Sequence, residues 1–203
     1  MIVTVASFKG GVAKTTTAFH LAHYFQAKGA TLLIDGDPNR SATGWAKRGE
    51  PAFKIIDERA AAKYAKDAQH IIIDTQARPT PEDLEALVQG CDLLVIPTTS
   101  DILGVEALMA TVGALRELKA ESFRILLTRV RGKRAVDEAR EALGEASLPV
   151  FESAIPNLVV FETAALLGVP VSDVKDANAA RAWEAYAAVG REITGDLRAE
   201  VLP

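Results

Sequence analysis

The chain has 203 residues, 49% of them apolar and 25% charged, with a formal net charge of −4. That length and balance predict one soluble domain over residues 1–203, able to bury about 70% of its unfolded surface. An acidic chain does not coat itself with nucleic acid, so any such contact must come from a local patch, and the lone Cys91 excludes a disulfide framework or thiolate cluster.

The first predicted strand, IVTVA (2–6), runs straight into Phe8-Lys9-Gly10-Gly11-Val12-Ala13-Lys14-Thr15-Thr16. A helix is predicted over 15–29, closed by Gly29. Glycines between a strand and a helix let backbone N–H groups curl round an anion, and the helix N-terminus adds its positive dipole. Lys14 is then placed to neutralise β- and γ-phosphates, the Thr15 hydroxyl to ligate Mg²⁺, and Thr16 to donate to the α-phosphate. Phe8 and Ala13 stand where the common G-x-x-x-x-G-K-[ST] pattern has glycine. Ala13 argues against a backbone angle there that glycine alone adopts.

The next predicted strand, TLLID (31–35), ends in Asp35-Gly36-Asp37-Pro38. Asp35 and Asp37 either face one metal–phosphate centre, as alternate residues of a strand do, or belong to a plain turn. IIID (71–74) ends in Asp74, an acid placed to bind Mg²⁺ directly or through water. Gln76 and Arg78 follow, either as γ-phosphate sensors or as exposed polar residues, and exposure is the expectation for Arg78. DLLVIP (92–97) leads to a helix over 101–120, RILLT (124–128) to one over 133–146, and a last helix covers about 177–200. VFESAIP (150–156) is a candidate sixth strand. Continuous apolar strands alternating with helices predict a doubly wound α/β domain with a mostly parallel sheet, a P-loop NTPase with its site at the carboxyl ends of the strands.

The stretch KGGVAKTT resembles the deviant Walker A box of the ParA/MinD family, K-G-G-x-G-K-[ST]-[ST], with Ala13 the one departure. The looser D-x-D-P at Asp35, the acid at Asp74 and the later segments extend the likeness over about residues 1–175, and the short ParA-type partition proteins are most similar. The resemblance implies ATP and Mg²⁺ as cofactors and a homodimer that sandwiches ATP, with slow, partner-stimulated hydrolysis. It implies that Lys9 reaches in trans to phosphates held by the other subunit, and that Asp37 places the attacking water. Lys9, Lys14 and Asp37 are then the catalytic set. Gly10 to Thr16 hold phosphate, Thr15, Asp35 and Asp74 support the metal, and Ile155, Pro156 and Asn157 wall the adenine. Thr98 and Asp101 are expected near the dimer face.

Such proteins act as switches on a surface. The carboxyl end, REITGDLRAEVLP, is acid-balanced, and Trp183, Tyr186, Ile193, Leu197 and Val201 are expected to pack inward, so no membrane anchor is expected. Non-specific DNA is the expected surface, through Arg129, Arg131, Lys133 and Arg134 or through Arg181, Arg191 and Arg198 on the last helix. The phosphate loop begins at residue 7, which resembles members without a helix-turn-helix extension. The implied protein is cytoplasmic and nucleoid-associated. It segregates plasmid or chromosome cargo through an adaptor like ParB, ParG or McdB, or alternatively positions a protein organelle of the carboxysome type. A metabolic P-loop amide ligase is the other class, and it usually lacks a lysine at the Lys9 position. An iron-protein ATPase would need two cysteine ligands per subunit, and Cys91 stands alone.

Overall fold

The computed structural model describes residues 1–199, leaving out the side chains at 102, 103, 110 and 196–199. Six strands form one parallel sheet in the order β3-β2-β4-β1-β5-β6. They are β1 (Ile2–Ser7), β2 (Thr31–Asp35), β3 (Lys54–Asp57), β4 (His70–Ala77), β5 (Leu93–Thr99) and β6 (Phe123–Thr128). The helices are α1 (Lys14–Gln26), α2 (Ser41–Ala46), α3 (Ala61–Tyr64), α4 (Pro81–Gln89), α5 (Ile102–Glu117), α6 (Lys133–Glu145), α7 (Val160–Leu167) and α8 (Ala179–Ala199). The expected doubly wound α/β class holds.

Both faces of the sheet are covered, which is why its strands are apolar throughout rather than alternating. Val3, Val5, Leu33, Ile72, Val95 and Leu126 pack into the core beneath α1, α7 and α8. Their neighbours Ala6, Leu94, Ile96, Ile125 and Leu127 pack into a second core with Leu108, Leu115 and Leu143 of α5 and α6. Gly190 lets α8 close on α1: a Cβ there would stand 2.3 Å from the Tyr24 ring. Tyr186 and Ile193 are fully buried and Trp183 is half-buried against His23. The side chain of Leu197, and Val201 altogether, lie outside the described residues.

The sixth strand is not VFESAIP. It is KIID (54–57), a four-residue edge strand whose short length blunts the open edge of the sheet. Residues 150–156 touch β6 only at their ends: Phe151 N–H donates to Ile125 O at 2.9 Å and Ile155 N–H to Leu127 O at 2.8 Å. Between those bonds the chain bulges outward, and the Glu192 carboxylate on α8 takes the N–H groups of Glu152 and Ser153, both at 2.8 Å. Backbone groups held by a side chain cannot join a ladder.

Candidate functional site

The carboxyl ends of β1, β2, β4 and β6 meet around the loop 8–13 between β1 and α1. The loop makes its turn with left-handed residues at Gly11 (φ 76°) and at Ala13 (φ 61°). Ala13 therefore does take the angle that its side chain argued against, at a cost of about 1 kcal/mol. Two features hold it there. Its carbonyl accepts the first helical bond of α1, from Thr17 N–H at 2.9 Å, and the loop is fastened from β6. Thr128 Oγ1 donates to Val12 O at 3.0 Å and Arg129 Nη1 to Gly11 O at 2.9 Å. With those carbonyls engaged outward, the loop amides are left for a ligand. Gly10 faces open space, with no atom within 4 Å of where a Cβ would stand. The cavity in front of it, about 590 Å³, is lined by Lys9, Gly10, Gly11, Asp101 and Arg129 among others.

The two lysines differ sharply. Lys14 is 8% exposed, with its ammonium 3.3 Å from Asp37 Oδ2 and 3.5 Å from Asp74 Oδ1. Lys9 lies at the cavity mouth, its side chain 33% exposed and 3.3 Å from Asp101 Oδ1. Asp101 also caps α5, accepting from Gly104 N–H at 2.9 Å. Thr98 is buried, its hydroxyl bonded to the Gly104 carbonyl, so of that pair Asp101 alone reaches the surface.

Asp74 is fully buried and neither carboxylate oxygen accepts a hydrogen bond. Burial pushes its pKa up to about 6, against the pull of the Lys14 ammonium 3.5 Å away. A desolvated, under-coordinated carboxylate beside a phosphate loop suits a hard cation. Among the described residues no group of three acidic, histidine or cysteine side chains could cage a metal. Such an ion would take most of its ligands from water and phosphate, as Mg²⁺ commonly does.

Asp35 is held by the residues that follow it. Its oxygens accept from Asp37 N–H at 3.3 Å, from Thr43 N–H at 2.7 Å and from Thr43 Oγ1 at 2.6 Å. Arg40 braces the same loop, donating to the Asp35 carbonyl and pairing with Asp57 at 2.7 Å. Asp35 thus shapes the loop that presents Asp37, whose other oxygen accepts from Asn39 N–H at 2.8 Å. Arg40 and Thr43 carry no motif, and nothing in the sequence singled them out. Gln76 bonds to Asp83 at 3.3 Å and Arg78 is exposed, as expected.

Ile155, Pro156 and Asn157 do come to the phosphate loop. With Ala13, Thr16, Leu158, Phe161 and Tyr186 they line a cavity of about 270 Å³ on its far side. Beneath it His20 is entombed: Nδ1 faces Thr16 O at 2.7 Å, Nε2 accepts from Val171 N–H at 3.0 Å, and the ring stacks on Tyr186 at 4.8 Å. Burial lowers its pKa to about 4. Glu192 serves the same wall by holding residues 152 and 153.

The basic residues divide. Arg131, Lys133 and Arg181 line one open groove of about 610 Å³ between the β6–α6 connection and α8. Arg134 pairs with Glu138 at 2.6 Å, and Arg191 pairs with Glu184. Arg129 lies over the phosphate loop. The side chain of Arg198 lies outside the described residues.

Residues 3–171 match the family model of the CobQ/CobB/MinD/ParA nucleotide binding domain. The chain is 35% identical over 206 residues to the maintenance of carboxysome distribution protein A of Gloeobacter kilaueensis, covering 97% of this chain and 95% of that one. Its fold is similar to that of the MinD cell division protein of Aquifex aeolicus, with a TM-score of 0.75 at 16% identity over 96% of this chain and 97% of that one. It is also similar to an ATP complex of a McdA variant from Cyanothece, with a TM-score of 0.70 at 18% identity over 93% and 96% of the two chains. No helix among the described residues is long and apolar enough to cross a membrane. A lysine-flanked phosphate loop, acids at the ends of the adjoining strands and a match over most of the sequence lead to one conclusion: the chain belongs to the CobQ/CobB/MinD/ParA family of nucleotide-binding ATPases.

Proposed function

We propose that this protein is an ATP-driven positioning switch. It dimerises around ATP, binds non-specific DNA as the dimer, and is released when an adaptor protein stimulates hydrolysis. The observation that carries the reading is the disposition of the two lysines: Lys14 buried between Asp37 and Asp74, and Lys9 at the open mouth of the same cavity. An amide ligase needs only the first. A second cation at the surface makes sense where another subunit's phosphates come to meet it.

In this reading the ATP phosphates take the loop amides and compete with Asp37 for Lys14. Freed from the ammonium, Asp37 holds the water that attacks the γ-phosphorus, and Lys14 offsets the charge gathering on the departing oxygen. Thr15 and Asp74 would hold Mg²⁺, which would supply positive charge to offset that of the phosphates. Ile155, Pro156 and Asn157 would wall the base.

The groove of Arg131, Lys133 and Arg181 is the favoured DNA surface: Glu184 shares its lining, but among the described residues none of its three cations forms an ion pair, whereas Arg134 and Arg191 are paired. The full-length likeness to a protein named for carboxysome distribution favours a protein assembly as cargo over a plasmid. The test is co-sedimentation of the Asp37→Ala chain with random-sequence duplex DNA. Retention with ATP alone, lost at high salt, supports the switch. Equal retention without nucleotide, or none in any state, overturns the DNA step.

A further inference from the structure

Two consecutive residues at the end of β6 grip two consecutive carbonyls of the phosphate loop, yet they are not equivalent. Thr128 is fully buried and its hydroxyl lies between the carbonyls of Val12 at 3.0 Å and Thr98 at 3.1 Å. It is an internal fastener. Arg129 is exposed, and its left-handed backbone (φ 53°) turns the side chain back across the loop to Gly11 O at 2.9 Å. A non-glycine residue is seldom held at such an angle unless the surroundings demand it, and these conformations gather at ligand sites.

The guanidinium lines both the cavity at the mouth of the phosphate loop and the cavity walled by Ile155, Pro156 and Asn157. Gly11 and Asn157 line both as well, and neither carries a charge. Among the described residues no carboxylate pairs with Arg129, so its five donors are spent on a single carbonyl. An under-used guanidinium fork beside a cradle of backbone amides matches the bidentate geometry of phosphate.

We propose that Arg129 is a nucleotide-binding residue: held on the Gly11 carbonyl, it closes onto the phosphate chain of bound ATP or ADP. It is thereby separated from the basic groove, although it stands two residues before Arg131. The inference rests on the nucleotide-binding reading of the same site.

The test measures equilibrium affinity for fluorescent ATP and ADP analogues in the full chain and its Arg129→Ala, Arg129→Gln, Arg129→Lys and Arg134→Ala variants. Alanine and glutamine at 129 are expected to weaken both nucleotides about tenfold, lysine to restore part of the loss, and Arg134→Ala, at an exposed arginine paired with Glu138, to bind as the wild type does. Glutamine keeps a donor for Gly11 without the charge. A loss with alanine that glutamine repairs would reduce Arg129 to a loop fastener and overturn the proposal. Wild-type affinity in Arg129→Ala would overturn it and return the residue to the DNA surface. Should the alanine chain melt early, the glutamine and lysine variants decide. A wild-type chain that binds neither nucleotide sinks the ATPase reading, which is a different failure.

Discussion

Lys14 and Asp37 restrain each other across 3.3 Å in a site from which water is nearly excluded. The residue assigned to the γ-phosphate is tethered by the residue assigned to the attacking water, so arrival of the phosphate frees both for their tasks. Asp37→Ala removes the competitor without touching the loop. ATP affinity is expected to hold or rise, while single-turnover phosphate release falls by about a hundredfold or more. Lys14→Ala leaves Asp37 and Asp74 without a cation, and nucleotide binding should be lost. Normal turnover in either variant would assign the chemistry elsewhere.

Lys9 makes its ion pair in a partly exposed place, and exposed pairs contribute little to stability. Lys9→Ala should leave the melting temperature and monomer nucleotide affinity close to wild type. The ATP-dependent dimer should disappear, as light scattering behind a sizing column would report. A stable ATP dimer of this variant would remove the trans role from Lys9.

Ala13 carries the strain of the phosphate loop. Replacing it with glycine relieves the Cβ clash at φ 61°, offset in part by the freedom glycine gains in the unfolded chain. Ala13→Gly is expected to stabilise the protein without nucleotide by about 0.5 kcal/mol, read from urea unfolding. A destabilised variant would mean that the loop relaxes to another shape in solution.

Two buried groups pull the acid response in opposite directions. Asp74 is raised from 3.8 to about 6, so the folded state holds its proton more tightly, and stability rises as pH falls through 6 towards 3.8. His20 is lowered from 6.5 to about 4, so stability is lost as pH falls through 6.5 towards 4. Each effect is about 3 kcal/mol at full extent, and over the shared window they nearly cancel. Asp74→Asn removes one side. Its unfolding free energy should exceed wild type by about 2 kcal/mol at pH 8 and then fall steeply between pH 6.5 and 4, where wild type stays flat. Parallel pH curves for the two proteins would contradict the desolvated state of Asp74.

The sequence by itself determined the strand–loop–helix device, because phosphate chemistry demands its residues in a fixed local order: glycines to expose amides, Lys14 to neutralise, Thr15 to follow. It also determined five of the six strands, since burial on both faces leaves only apolar runs. Asp74 was legible for the same reason, as the single charge closing IIID. Tertiary structure decided everything that depends on which side chain answers a backbone group far away in the chain. Glu192 breaks 150–156 out of the sheet, while KIID pairs with β2 despite being four residues long. Ala13 takes a left-handed angle because bonds from β6 hold the loop around it. Asp35 and Asp37, two residues apart, face different tasks because Thr43 claims one and Lys14 the other. Arg129 and Arg131, two residues apart, differ because the left-handed backbone of the first sets its guanidinium on the Gly11 carbonyl, while the second lies between the mouth of the phosphate loop and the groove.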